Sequence, residues 1–378
     1  MNTLNKILII GGGIGGLSTA LSLHRKGIPC EVVELRRAWD VYHVGIGVSG
    51  NFLRALSVLG VADKALAAGF TFHGMVVCDV AGRELVRAPS ARLSGENGQE
   101  FPGDLGLTRP ALHEILTREV QSLGIPVRVG VTFTEIDDRG DHVAVSFTDG
   151  SRSDYALVVG ADGAYSKVRS QLYGDRYVPR FTGQGVWRYN VKRPPDCDWG
   201  HIHKGKPGGA AGYLPLTQDT MYVFHVGAEP GNPRFPEDTL AEELRHRLEG
   251  FGGRIPAIRE QIVDSRLVVY RPLETCLVRE RWFKGRVMVL GDAAHSATPH
   301  VGQGAAMAVE DAVVLGEELS LGTSVPDALE RFWTRRYDRV LFVAGSSIQL
   351  GEWEQHPTPD ANPPALMLQV FQRVAEPI

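Results

Sequence analysis

Cysteine is scarce in this chain: there are four in 378 residues, Cys30, Cys78, Cys197 and Cys276, far apart and with neither CxxC nor zinc-ligand spacing. A disulfide framework and a metal site are therefore not expected, and buried free thiols are. Basic residues are not in excess either. Lys and Arg number 40 against 44 Asp and Glu, a formal charge of −4, so the electrostatic footprint of a nucleic-acid binder is missing. No apolar run approaches the roughly 18 residues that span a bilayer, and the first apolar stretch reaches Gly11 too soon for a signal peptide. The expectation is a cytoplasmic protein with no membrane and no nucleic-acid partner.

What is present is ordinary for a folded chain, with 43% apolar and 22% charged residues and length for two or three domains at roughly 150 residues each. Lys6 to Ile10 is a short apolar run ending in glycines. Ile14, Leu17, Ala20, Leu21 and His24 follow at helical spacing, and Cys30 to Glu34 is a second apolar run. That order predicts a βαβ unit and a parallel sheet. Tyr155 to Gly160 and Arg286 to Leu290 read as further strands of the same kind. Between them, Gly183 to Val191, Tyr213 to Leu216 and Met221 to Val226 read as an antiparallel sheet. Helical spacing runs from Val325 to Leu350 and gives way to a Pro-rich stretch, Pro357 to Pro364. The predicted fold class is α/β. A Rossmann-like domain with a parallel sheet takes residues 1–69, 100–178 and 282–320, an inserted β-rich substrate domain takes 70–99 and 179–281, and 321–378 form a C-terminal helical segment.

Gly11-x-Gly13-x-x-Gly16 falls between strand and helix, where glycines permit a tight turn and close approach of a pyrophosphate to the helix N-terminus. Glu34 ends the second strand, the place where a carboxylate accepts ribose hydroxyls. Gly291-Asp292-Ala293-Ala294-His295, followed by Pro299 and Gly302-Gln303-Gly304, ends another strand and opens a helix. A nicotinamide dehydrogenase has no need of this second site. FAD is long enough to reach it, and the helix start at Gly304 would aim N–H groups at the flavin N1 and C2 carbonyl.

With Gly160-Ala161-Asp162-Gly163-Ala164-Tyr165-Ser166-Lys167-Val168-Arg169 between them, these motifs make the chain similar, over nearly its whole length, to the class A flavoprotein monooxygenases, the para-hydroxybenzoate hydroxylase family. The resemblance implies non-covalent FAD, NADH or NADPH as reductant, and a flavin C4a-hydroperoxide formed with O2 that hydroxylates a small aromatic or heteroaromatic phenol or hydroxy acid. It places Glu34, with Arg36 beside it, at the adenosine ribose, Arg109 near the FAD phosphates, and Asp292 at the ribityl chain. Asp162 and Arg169 would serve FAD and the nicotinamide donor. Gly45-x-Gly47 would lie near the isoalloxazine, and Pro299 and Gln303, on the loop with Gly302 and Gly304, would line the ring pocket.

Each has a plainer reading. Asp162 is also well placed to cap the helix after it, and His295 reads as a structural histidine. For the substrate, the resemblance puts a sheet over the flavin. Trp187 to Tyr189, His201 to His203, Tyr213 and Tyr222 to His225 are candidates, of which only alternate residues can face inward. A phenol reacts best as its phenolate, so a His or Tyr that relays a proton is useful; Tyr213, His201 and His203, with Pro299 and Gln303 at the ring pocket, are the catalytic candidates. A halogenase is disfavoured because Trp-x-Trp-x-Ile-Pro is absent. A flavin-dependent reductase and a non-catalytic flavin-binding protein are the alternatives, and either a monomer or a homodimer fits.

Overall fold

The computed structural model describes residues 6–39, 41, 43–95, 98–205 and 209–378. Ile7–Ile10 pairs in parallel with Cys30–Glu34 on one side and Leu157–Gly160 on the other. Val127–Val129 and Val287–Val289 extend the sheet in parallel, and Phe283–Lys284 closes one edge antiparallel. Ile7–Ile10, Leu157–Gly160 and Val287–Val289 are buried at every position. That unbroken apolar pattern belongs to strands covered on both faces, and it is why they read clearly from sequence. The α/β class is as expected.

A second sheet has seven strands, in the order Val269–Leu277, Arg180–Lys192, Thr220–Ala228, Gly209–Pro215, Gly200–Lys204, Gly74–Cys78 and Glu84–Pro89. Its neighbours are antiparallel except Gly200–Lys204 with Gly74–Cys78. Residues directly opposite each other share a face, so Tyr189, Val223, Tyr213 and His201 form one row and Asn190, Tyr222 and Leu214 form the next, on the other face. Helices Leu240–Arg247 and Ile255–Arg259 cover the first face, packing Leu244, Leu248, Ile255 and Ile258 on Trp187, Tyr189 and Tyr213. The other face meets strand Gly45–Ser49. A Cβ on Gly45 would stand 2.4 Å from Leu216 and Tyr222, and one on Gly47 would stand 2.9 Å from Leu214. These glycines let one backbone lie directly on a sheet of large side chains.

At the C-terminus Val325–Gln355 is one 31-residue helix. The Pro-rich stretch after it, which reads from sequence as the end of helical structure, instead launches a last helix, Pro363–Ala375. Asn362 caps it by accepting from Ala365 N–H at 3.1 Å, and prolines in the first turn cost nothing because their N–H groups would be unpaired there anyway. Among the described residues no helix is long and apolar enough to cross a membrane, and no group of three or more His, Cys, Asp or Glu is placed to hold a metal. All four cysteines are free and buried.

Candidate active site

Three of the long helices begin with a side chain that satisfies a first-turn N–H group: Arg109–Ser122 with Thr108, Val325–Gln355 with Ser324, and Pro363–Ala375 with Asn362. The long helices Ile14–Arg25 and Gly304–Ser320 have no such cap. Those are the two that the glycine motifs open. Nothing lies within 4 Å of where a Cβ would stand on Gly13, Gly302 or Gly304, and Gly302, Gly304 and Asp292 are exposed. Uncapped donors behind open glycines make a bed for anionic or carbonyl oxygens. Gly11 and Gly16 do a different job. A Cβ on Gly11 (φ +112°) would stand 2.3 Å from the Ala161 oxygen, and one on Gly16 would stand 1.9 Å from the Gly11 oxygen, so they keep the turn tight.

Glu34 is fixed at the loop by accepting from Gly12 N–H at 2.7 Å and Arg36 N–H at 2.8 Å. Each carboxylate oxygen keeps a lone pair for a ribose hydroxyl. Trp39 packs against Gly12, and His113 bonds the Gly12 carbonyl at 2.8 Å. A cavity of about 390 Å³ opens beside them, lined by Trp39, Pro110, His113 and Thr117 among others.

Three expected cofactor or pocket residues are occupied elsewhere. Asp162 takes the plainer role: its carboxylate accepts from the Ser166 hydroxyl and from Lys167 and Val168 N–H at 2.8 and 3.2 Å, capping the next helix. Arg169 is buried and donates to the carbonyls of Tyr177, Ala293 and Ala164 at 2.9, 3.0 and 2.7 Å. Through these bonds it ties the Asp-Gly segment to the Gly-Asp segment. Gln303 is also buried, accepting from Asn51 at 2.9 Å and donating to Ser49 at 3.3 Å. Pro299, half-buried, starts a single turn that ends at Gly302 with φ +66°.

Tyr213, His201 and His203, the catalytic candidates on the sheet, share one of its faces. All three lie on the helix-covered face, where Tyr213 is 2% exposed, His201 stacks on its ring at 4.7 Å and His203 sits 5.9 Å from it. Burial pushes the Tyr213 hydroxyl up and both imidazoles down. Alternation selects the other row, and the sequence offered aromatic and polar residues on both.

On the other face, Arg188, on the first strand inside the sheet's edge, and Tyr222 stand close enough to Arg109 for their charges to interact, and Arg109 in turn feels Asp292. Among the described residues no carboxylate or carbonyl bonds either guanidinium. Both are part-exposed yet deeply enclosed by protein, and burial first, then the like charge of Arg109, pulls Arg188 down to about 10. Burial likewise pushes Tyr222 up, opposed by the two arginines. Two adjacent unpaired cations are costly unless an anion joins them. Arg188 was legible only as a member of a candidate stretch, and Asn51 carried no signal at all.

A Rossmann-like domain with two uncapped helix starts and a facing mixed sheet defines a dinucleotide-binding oxidoreductase, and the residues fit FAD. A family model described as an FAD binding domain matches residues 5–341, and the chain belongs to that family. It is similar to the aurachin C monooxygenase/isomerase of Stigmatella aurantiaca, 34% identical over 94% of this chain and 91% of that one. It also resembles the 2-heptyl-3-hydroxy-4(1H)-quinolone synthase of Pseudomonas aeruginosa, 33% identical over 92% and 90%. The fold matches a crystal structure of a Klebsiella pneumoniae HpxO variant with FAD, with a TM-score of 0.82, 25% identity, and 98% and 94% coverage. The protein is an FAD-dependent monooxygenase.

Proposed function

We infer that the protein hydroxylates a flat aromatic or heteroaromatic ring bearing an acidic group, with NADH or NADPH as electron donor and O2 as oxidant, in the manner of the para-hydroxybenzoate hydroxylase family. The observation that carries this reading is the unpaired Arg188 beside Arg109 and Tyr222, on the sheet face opposite the two cofactor loops. FAD, when bound, supplies the redox chemistry that activates O2. Gly13 and the helix start at Ile14 would hold its pyrophosphate with Arg109, Glu34 its ribose, Asp292 its ribityl chain and the Gly304 helix start its ring. Arg188 would hold the substrate's anionic group, and the Tyr222 hydroxyl would bond a ring oxygen. Leu214 and Phe224 would press on the ring and exclude water, which keeps oxidation coupled to hydroxylation. The quinolone in the name of the Pseudomonas relative supports a fused nitrogen heterocycle.

Arg188→Gln tests this. In wild type, hydroxybenzoates or hydroxyquinoline carboxylates should shift the flavin spectrum and accelerate NAD(P)H oxidation. In the variant their dissociation constants should rise at least about tenfold, the scale of one lost charge-assisted bond, with FAD content unchanged. Equal binding by both proteins, or peroxide as the sole product with every aromatic, defeats the reading.

A further inference from the structure

Behind the two cofactor loops lies a network of charged groups with almost no contact with solvent, and it runs to the end of the chain. Arg336 and Glu310 are 0% exposed. Glu310 is gripped by Arg336 at 2.7 Å and by two of the three guanidinium nitrogens of Arg339 at 2.9 and 3.0 Å. Its remaining contact is Asn51, whose amide donates to Glu310 and to Gln303, both at 2.9 Å. Gln303 is the residue before the uncapped helix at Gly304. Beside Glu310, Asp311 accepts from Arg336 at 2.8 Å, His295 at 2.7 Å and the Gly291 N–H at 3.0 Å. The two neighbouring carboxylates therefore each hold one cofactor loop: Glu310 the Gly302–Gly304 loop through Asn51, and Asp311 the Gly291–Asp292 loop directly.

At the far end two arginines meet the last turn of helix Pro363–Ala375. Arg54 donates to the carbonyls of Val374, Ala375 and Glu376 at 3.0, 2.9 and 2.6 Å. Arg339 donates to those of Arg373 and Val374 at 2.6 and 3.0 Å. Arg339 is the shared member: it grips Glu310 and also donates to the helix-end carbonyls, which would otherwise be orphaned and which lie at the negative end of the helix dipole. The helix end thus holds in place one of the two guanidinium groups that orient Glu310, with Arg54 binding the same carbonyl of Val374.

We propose that Arg54, Arg339 and the carbonyl end of the last helix are positioning elements for the flavin: docking of residues 373–376 sets Glu310, and through Asn51 and Gln303 the loop that receives the flavin ring. The proposal rests on the placement of that ring at Gly302–Gly304 and adds a dependence on a helix with no place in the cofactor bed. Coupling of this kind is reciprocal, so FAD must tighten the helix by the factor by which the helix tightens FAD.

The test compares the full chain with a deletion of residues 373–378, which ends the chain at Gln372, and with the point variants Arg54→Gln and Arg54→Lys. FAD dissociation constants are read by fluorescence, and amide exchange over 363–375 is read with and without FAD. Expected are a rise of about tenfold or more in the FAD dissociation constant for the deletion and for Arg54→Gln, within the usual range of coupling. Arg54→Lys should recover part of it, and FAD should slow exchange in the wild-type helix. Should the deletion fail to fold, Arg54→Gln, which leaves Glu310, Asn51 and Gln303 in place, decides. A helix that merely adds stability would lower the unfolding midpoint equally with and without FAD; that result, or an exchange rate indifferent to FAD, overturns the proposal. Wild-type protein unable to bind FAD would instead overturn the cofactor bed itself.

Discussion

The two faces of the seven-stranded sheet carry similar residues and do opposite things. Trp187, Tyr189 and Tyr213 lie under helices whose Leu and Ile side chains fill the space above them, with His201 and His203 against Tyr213 on the same face. Arg188, Tyr222, Phe224 and Leu214, one residue along the same strands, lie across from glycine-rich backbone. A covered aromatic face becomes core. The other face is packed by the glycine backbone of Gly45–Ser49, which buries Leu214, Leu216 and Tyr222 and leaves Arg188 part-exposed near Arg109. What separates them is the partner that each face meets, and composition does not record it.

The largest contrast is between neighbours. Trp187 is fully buried, donates to Glu229 at 2.7 Å and has Arg247 4.1 Å above its ring. Trp187→Ala should cost about 3–5 kcal/mol in denaturant unfolding, the usual range for a buried Trp truncated to Ala, whereas Arg188→Gln should lose ligand and keep its stability. A Trp187→Ala protein as stable as wild type breaks the comparison.

Acid should strike the covered face next. Burial, reinforced by Arg247 and opposed by Glu229 and Glu354, pulls His225 down from 6.5 to about 4. Between those values the unfolded chain binds the proton and the folded one does not. Stability is therefore complete above pH 6.5 and is lost as pH falls toward 4, by about 3 kcal/mol at most. His225→Phe should flatten that part of a stability profile, and an unchanged slope would place the acid sensitivity elsewhere.

The smallest effect sharpens the comparison most. Tyr213→Phe should leave ligand binding, FAD content and coupling as in wild type and alter stability by no more than about 1 kcal/mol. A fall in coupling would return Tyr213 to the site and reverse the assignment of the faces.

The nucleotide domain was legible because its strands are unbroken apolar runs and its glycines are required by backbone contacts, as at Gly11 and Gly16. The β-rich sheet was legible as a sheet but not as a surface. Period two says that Tyr213 and Tyr222 face opposite ways and is silent on which way is inward. Asp162 and Arg169 matched a motif, yet the motif is served by capping and cross-linking, because a carboxylate near a helix start and a buried guanidinium near carbonyls are satisfied by the nearest partners.

Local sequence by itself determined the parallel strands, the tight glycine turn and the two loops that open on uncapped helices, all of which depend on residues within one turn or one strand of each other. Only the tertiary structure decided what each sheet face meets, that Arg188 stands near Arg109, and that the last helix turn closes a charge network behind the Gly291–Asp292 and Gly302–Gly304 loops. Those contacts join residues hundreds of positions apart, such as Arg54 with Val374. Their energy depends on burial and on the balance of charge around them, quantities that exist only once the chain has folded.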